Sequence, residues 1–402
     1  MSILTGLKAR AVRRAGAWAM GRVVATSEWP RRVLSRTIYN EMIGFRDSTM
    51  DLGDEQVPLH EEEYIERIIE ILEARHLRDY PSGVRPMPRD FHGKAHGCVR
   101  ALFTVESFLP AEVKHGVFAI PGPHRAVVRF SNASRDIASD KLPNQHGLAI
   151  KLIMNDGAHQ DFVLSDYPVN FISDAEQAYY FYRAEAANKP LSYFLRHFDK
   201  FAITLLGSSY APPVDVFDMW YFSQTPYRLG PKRACKYMVR PLRADGSVVD
   251  RPANAEPEGP QGRNFLREQM VKRFADLKTG EHIEFAFFVQ PQRHPIRQPV
   301  EDASFEWDER EAPPIRVGTL RLAPDSSLPF TSPEAQWHAE EISFNPARAF
   351  PENQPIGGLN RVRRAVYQKF AEMRFKANGT HERTGEAALP PPYPLPDLTP
   401  KG

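Results

Sequence analysis

From about Gly97 onward the sequence consists largely of short β-rich runs separated by Pro, Gly, Asn and Asp. This pattern restricts the fold more than any other feature. Eight strands are predicted, at 98–105, 126–130, 147–154, 161–164, 169–172, 282–290, 315–322 and 340–344. The 36 prolines among 402 residues favour strands, turns and ordered loops over a helical bundle. Strands this numerous, without an alternating helix pattern, predict a closed or nearly closed antiparallel β-barrel.

Four segments show helical spacing instead: 60–77, 175–206, 263–277 and 359–375. The first has a polar face opposite Ile65, Ile68 and Leu72, so we expect it to cover the core. The fold class is therefore α+β, an antiparallel β-barrel with surrounding helices. We expect a basic N-terminal arm at 1–55, one main domain at 56–378 and a Pro-rich tail at 379–402.

The composition is that of a soluble globular protein, with 42% hydrophobic and 25% charged residues. The net charge is only +2, which gives no indication of a nucleic-acid partner. Cys98 and Cys235 are the two cysteines, so a disulfide-stabilised secreted fold is not expected. A reducing compartment, by default the cytoplasm, is the predicted location.

Residues 1–36 contain eight Lys or Arg and one acid, Glu28. Their apolar stretch from Ala15 to Gly21 is short and is interrupted by Arg22, which argues against a secretory signal. Two interpretations stay open. The segment is either a basic amphipathic helix in peripheral contact with an anionic membrane, or an arm packed on the core or on a neighbouring subunit.

Arg363 and Tyr367 are four residues apart in the predicted helix 359–375, so both side chains leave the same face. A free tyrosine titrates near pH 10, so its ionisation at neutral pH costs roughly 4 kcal/mol. A bound metal ion and an adjacent guanidinium group both favour the phenolate. This spacing is common by chance, and a packed tyrosine beside an exposed arginine is the alternative. Arg374 follows two turns later on the same face.

Near the front of the chain, His92 and His96 lie in a Gly-containing segment after Arg89. Histidine suits acid–base catalysis because its pKa lies near neutrality, but for either histidine taken alone an ordinary hydrogen-bonded structural role is favoured. The run 127–131 predicts a strand with Arg129 and Ser131 on one face. A serine there can hold one ring nitrogen of a catalytic histidine. Two polar residues on the wet face of a strand are the other interpretation.

Taken together, these segments resemble the haem-binding core of the catalase family, over about Arg89 to Arg374. The matching segments are Arg89-x-x-His92, Val128-Arg129-Phe130-Ser131, Gln145 to Lys151, Asp161 to Phe171, Phe287 to Gln290, Val317 to Leu320, Ile342 to Pro346 and Arg363-x-x-x-Tyr367.

The resemblance implies a catalase-like β-barrel that binds haem b through Tyr367, with Arg363 stabilising the phenolate. It also implies that His92 is the distal acid–base group and that Ser131 orients it. The same resemblance assigns the haem propionates to three arginines, Arg89, Arg129 and Arg374. A small peroxide substrate and a homo-oligomeric assembly are further expectations from the family.

One residue departs from the family pattern. Catalases carry a distal asparagine where this chain has Ser165, which is shorter and offers one donor rather than two. Asn170 is a candidate replacement for that amide. With this change and no long C-terminal extension, the chain looks like the short bacterial catalase-related proteins. Ser165 joins His92 and Ser131 as a candidate catalytic residue.

These residues favour a haem-dependent, catalase-related peroxidase that cleaves hydrogen peroxide or organic hydroperoxides. The enzymatic alternatives are a hydrogen peroxide-dismutating catalase and an enzyme that converts fatty-acid hydroperoxides. A haem carrier or sensor without turnover is an alternative of another class, and a barrel that binds an apolar ligand without haem is a third.

Overall fold

The structure is a computed structural model that describes residues 51–81, 87–142, 144–197, 200, 215–250, 262–278, 280–322 and 333–389. The basic segment 1–36 lies outside the described residues, so its predicted arm or membrane contact does too. The same holds for residues 201–206 of one predicted helix and for 390–402 of the Pro-rich tail.

In the described residues, nine antiparallel strands form one sheet that closes on itself. They are β1 (Ala95–Val105), β2 (Gly122–Asn132), β3 (His146–Ile153), β4 (His159–Ser165), β5 (Tyr221–Phe222), β6 (Tyr227–Arg228), β7 (Ala234–Pro241), β8 (Ile283–Pro291) and β9 (Ile315–Leu322). The order around the barrel is β5-β4-β3-β2-β1-β9-β8-β7, and pairing of β5 with β7 closes the ring of eight strands. The short β6 adds to β7. The predicted antiparallel β-barrel is confirmed.

Side-chain alternation divides each strand between the barrel interior and its outer face. On β2, Ala126, Val128 and Phe130 belong to the main hydrophobic core, whereas Arg129 and Ser131 alternate with them and face outward. The interior is rich in aromatic residues in mutual contact, among them Phe103, Phe118, Phe162, Tyr237 and Phe287. The barrel is therefore filled with side chains, and a ligand site has to lie on its outside.

Six helices accompany the barrel in the described residues: α1 (Glu61–Asp79), α2 (Ala175–Ala186), α3 (Pro190–Phe194), α4 (Phe265–Ala275), α5 (Pro333–Glu340) and α6 (Gly358–Asn378). Their apolar faces meet in a second core, in which Ile68 and Leu72 of α1 lie with Ala178 of α2 and Val366 of α6. Helix α6 ends at Gly379, whose left-handed backbone terminates the helix. In the described part of the chain, no helix is long and apolar enough to cross a membrane.

Three of the predicted helices and most predicted strands are present, with boundaries shifted by a few residues. The fourth predicted helix, at 175–206, is instead the two helices α2 and α3, separated at residues 187–189. Two predicted strands are wrong. Residues 169–172 form a loop, in which the amide of Asn170 donates to the carbonyl of Ala303 instead of to a neighbouring strand. Residues 340–344 are the end of α5 and the loop after it. The sequence reasoning also missed β5 to β7 and helix α5.

Candidate functional site

A cavity lies between the outer face of β2 to β4 and helix α6. It contains about 680 Å³ of space free of protein atoms, part of it open to solvent. Its apolar walls include Phe91, Val163, Phe344, Val366 and Phe370, and its polar lining residues are Arg89, Asp90, His92, Arg129, Ser131, Ser343, Tyr367 and Arg374. Six of the eight predicted site residues therefore meet in one cavity.

His92 lies in the segment before β1, and its backbone has a φ of 55°, a left-handed conformation that is rare for residues other than glycine. Two contacts hold it there: Arg129 donates from Nη2 to the carbonyl oxygen of His92 (2.8 Å), and Nδ1 of His92 lies 3.0 Å from Oγ of Ser131. Such backbone strain persists only where the surrounding structure enforces it, and it is concentrated at functional sites. Nε2 is the ring nitrogen left for a ligand in the cavity.

Gly147 of the next strand, β3, packs closely against the same imidazole ring. A Cβ atom added to Gly147 of β3 would lie 2.5 Å from Cε1 and Nδ1 of His92. Burial lowers the pKa of His92 to about 3, and the charges of Arg129, Arg363 and Arg89 act in the same direction. The imidazole is therefore neutral at physiological pH and able to accept a proton.

Tyr367 comes from α6, on the helical side of the cavity. The guanidinium carbon of Arg363 lies 5.5 Å from the centre of the Tyr367 ring. Arg363 does not line the cavity; it is fixed behind the tyrosine by Oγ1 of Thr225 (2.8 Å) and Oδ1 of Asn360 (3.2 Å). Burial lowers the pKa of Arg363, but Tyr367 and Tyr227 outweigh this effect and leave the pKa above its ordinary value. The guanidinium group of Arg363 therefore stays a cation beside the phenol.

Three arginines are concentrated at another part of the lining. Arg129 and Arg374 are each 3% exposed, and Arg89 is close to both. Burial, followed by the charge of Arg89, lowers the pKa of Arg129 to about 10 and that of Arg374 to about 9. Nε of Arg89, Nε of Arg129 and Nη1 of Arg374 are buried donors without a hydrogen-bond acceptor in the described structure. Such a cluster favours an anion.

The other candidates from the sequence lie outside this lining. Ser165 ends β4 opposite Gly147 and is 3.4 Å from a carboxylate oxygen of Asp166. His96, the rival of His92, is fully buried with Nε2 at 2.8 Å from Oδ1 of Asn132. Asn170 donates to the side chain of Gln224 and accepts from a backbone amide. The geometry therefore favours His92 over His96 and leaves Asn170 engaged elsewhere.

The cavity fits a flat, dianionic macrocycle with a central metal. Apolar walls suit the ring, the arginine cluster suits carboxylates at one edge, and His92 and Tyr367 come from different elements. In the described residues, no group of three His, Cys, Asp or Glu side chains is arranged to hold a bare metal ion.

Sequence reasoning missed two lining or neighbouring residues. Gly147 lies within the matched segment Gln145 to Lys151. It matters because the imidazole ring of His92 packs against it, and no local sequence pattern reveals that contact. Glu340, at the end of α5, approaches Arg89 and Arg374, and its position was assigned to a strand. Neither residue carries a sequence signal of its own.

The architecture is the catalase fold, as comparison with solved structures shows. A fungal catalase and a bacterial catalase each match with a TM-score of 0.57 and 16% identity, over 86% of this chain and 68% and 67% of theirs. Catalase A from Saccharomyces cerevisiae matches with a TM-score of 0.53 and 14% identity, over 86% of this chain and 71% of that one. No protein-family model matches the sequence, and no curated protein matches it. At this identity the similarity shows the fold alone.

Proposed function

We propose that the protein is a haem-dependent, catalase-related peroxidase that cleaves hydrogen peroxide or organic hydroperoxides and oxidises a second substrate. One observation carries this proposal: a neutral, strained histidine, a tyrosine backed by a buried arginine, and an anion-seeking arginine cluster share one cavity. The fold, which is that of catalases, supports it.

The roles follow from the contacts. Tyr367 would provide an oxygen ligand to the iron, with the Arg363 cation beside it. Arg89, Arg129 and Arg374 would hold two carboxylates of the cofactor. Haem, when bound, supplies the iron that accepts the peroxide and the electrons for cleavage of the O–O bond.

His92 would move the proton in this reaction. With haem bound, the neutral Nε2 would accept a proton from one oxygen of the peroxide. The imidazolium formed would be strongly acidic, because burial and the arginines oppose its charge, and it would return that proton to the leaving oxygen. Ser131 would keep the ring in place during both transfers.

An absorption spectrum of the protein produced with adequate haem tests the class of site. We expect high-spin ferric bands of phenolate character, and we expect Tyr367→Phe to abolish them. Tyr182→Phe is the matched control, because Tyr182 is also close to the cavity through its ring contact with Phe91 but is assigned no role. A histidine-type spectrum, or an unchanged spectrum in Tyr367→Phe, would contradict the proposal.

The peroxidase assignment is tested separately by comparing oxygen release with oxidation of a reducing dye. We expect dye oxidation to dominate, since Ser165 stands where an amide would hold a second peroxide molecule. Vigorous oxygen release without dye oxidation would favour a dismutating catalase on the same site.

A further inference from the structure

Glu340 is the one carboxylate in contact with the arginine cluster among the described residues. Its Oε2 atom lies 3.5 Å from Nε of Arg89 and 3.6 Å from Nη1 of Arg374. Burial raises the pKa of Glu340, but Arg89, Arg374 and Arg129 outweigh burial and leave the pKa below its usual value. Glu340 is therefore ionised in a cluster of three cations.

The contacts around Glu340 are incomplete. Both distances exceed that of an ordinary charge-assisted hydrogen bond, and Oε2 has no hydrogen-bond partner in the described structure. Arg89 instead donates from Nη2 to the carbonyl oxygens of Ala339 (2.7 Å) and Ile342 (2.6 Å), and Arg374 also donates to Ile342 (3.2 Å). The backbone of the α5 terminus thus orients the two guanidinium groups, while Glu340 acts mainly through its charge.

Counting charges gives +3 for the arginines and −1 for Glu340, a net +2. Beyond this set, Arg267 acts on Arg129 and Glu382 acts on Arg374, with opposite signs. A ligand edge with two carboxylates would neutralise the cluster.

We propose that Glu340 sets the charge of this cluster to match a ligand edge with two carboxylates, and that it stabilises the arginines while the cavity is empty. The proposal rests on the proposed function, because the two propionates of haem form such an edge. It makes Glu340 a specificity-determining residue that sequence reasoning did not identify.

The test compares Glu340→Gln with Glu341→Gln in the full chain. Glu341 is the next residue, but it pairs with Arg383 and Trp337 instead of approaching Arg89 and Arg374. The probes are metal-free protoporphyrin IX and its dimethyl ester, with binding followed by fluorescence. These probes need neither iron nor Tyr367, and the melting temperature of the ligand-free protein is a second readout.

In Glu340→Gln the cluster has charge +3, so we expect the ligand-free protein to melt at a lower temperature. Its affinity for the diacid should rise by at least about threefold, because a repulsive carboxylate is gone, while ester affinity should change by less than about twofold. Glu341→Gln should leave the affinity for both probes unchanged. Equal diacid affinity and equal melting temperature in Glu340→Gln and the wild type would overturn the proposal.

If Glu340→Gln does not fold, the double variant Glu340→Gln/Arg89→Gln tests the proposal instead, because it restores the net charge of the cluster to +2. A double variant that folds supports charge balance, and one that also fails to fold overturns it. The outcomes separate the two proposals. If the wild type binds neither porphyrin, the proposed function fails; if it binds the diacid and Glu340→Gln behaves like wild type, only the role of Glu340 fails.

Discussion

Replacing Gly147 by alanine should remove most activity without removing the cofactor. Gly147 lies in β3, paired on one side with Ser131 and on the other with Ser165, so the strand cannot move away. The new Cβ would lie 2.5 Å from Cε1 and Nδ1 of His92 and 3.0 Å from Oγ of Ser131. It therefore meets the imidazole that is proposed to move the proton and the hydroxyl 3.0 Å from its Nδ1 atom.

The size of the effect follows from these distances. Unbonded carbon atoms settle at about 3.5–4.0 Å, so the ring has to retreat by about 1 Å or more. A displacement of that order at a reacting group costs about 10²-fold, and overpacking costs about 1–3 kcal/mol of stability. His92 has little freedom to adjust, since its strained backbone is tied to Arg129.

The assay is kcat/KM for peroxide-dependent dye oxidation, together with the absorption spectrum and a urea unfolding curve. We expect a loss of about 10²-fold in Gly147→Ala, with the haem bands retained because Tyr367 is untouched. Gly157→Ala is the control: its Cβ would meet nothing within 4 Å, although its φ of 81° makes the substitution destabilising. If Gly147→Ala kept more than about a third of wild-type activity, the assignment of His92 would be refuted.

Three further predictions concern other parts of the molecule. Lys151 is fully buried and its Nζ lies 2.8 Å from Asp161, so Asp161→Asn should lower the free energy of unfolding in urea by about 3–5 kcal/mol; a loss under about 1 kcal/mol would contradict this. Burial lowers the pKa of His96 to about 3, so the unfolded chain binds that proton at higher pH than the folded one. The free energy of unfolding should therefore fall as the pH drops from about 6.5 towards 3, by up to about 1.4 kcal/mol per pH unit for this group. In His96→Gln, unfolding curves measured over the same pH range should show a smaller decrease per pH unit than in the wild type. An equal decrease in both proteins would argue against the lowered pKa of His96. Ser165, which pairs with Gly147 across the sheet, is the third position. Ser165→Asn should raise the ratio of oxygen release to dye oxidation by more than about twofold. A smaller change would mean that position 165 does not determine whether peroxide is dismutated or used to oxidise a second substrate.

The barrel was predictable because its signal is local and repeated. Alternating apolar residues bounded by turn formers identify β1 to β4, β8 and β9 wherever one strand face is buried. Strand β7 shows the same alternation, with Cys235, Tyr237 and Val239 inside and Lys236 outside. Lys236 is nevertheless buried, with Nζ bonded to the carbonyl of Phe305, so its polarity conceals a strand covered on both faces.

Site residues could be predicted from the sequence where the type of side chain implies its chemistry. They could not be predicted where a backbone carbonyl from a distant part of the chain makes the hydrogen bond. Residues 340–344 look like a strand, but the carbonyl of Ile342 accepts from Arg89, 253 positions away, and from Arg374. No local pattern encodes such a partner. The same contact places Glu340 in the cluster, which explains why the sequence alone indicated three arginines and missed the carboxylate between them.

The charges of the arginines affect the pKa of His92 across the cavity, so a ligand bound to the arginine cluster should change that pKa. Arg129, Arg363 and Arg89 help to hold the pKa of His92 at about 3, so an anionic ligand edge that neutralises the cluster should raise that pKa. Burial is the larger cause, however, and a bound ligand would deepen it. The histidine should therefore remain neutral at physiological pH with the cavity filled, as a proton acceptor requires. In the ligand-free protein the charges of the arginines thus add to burial in keeping the imidazole neutral, and with an anion bound burial alone has to do so.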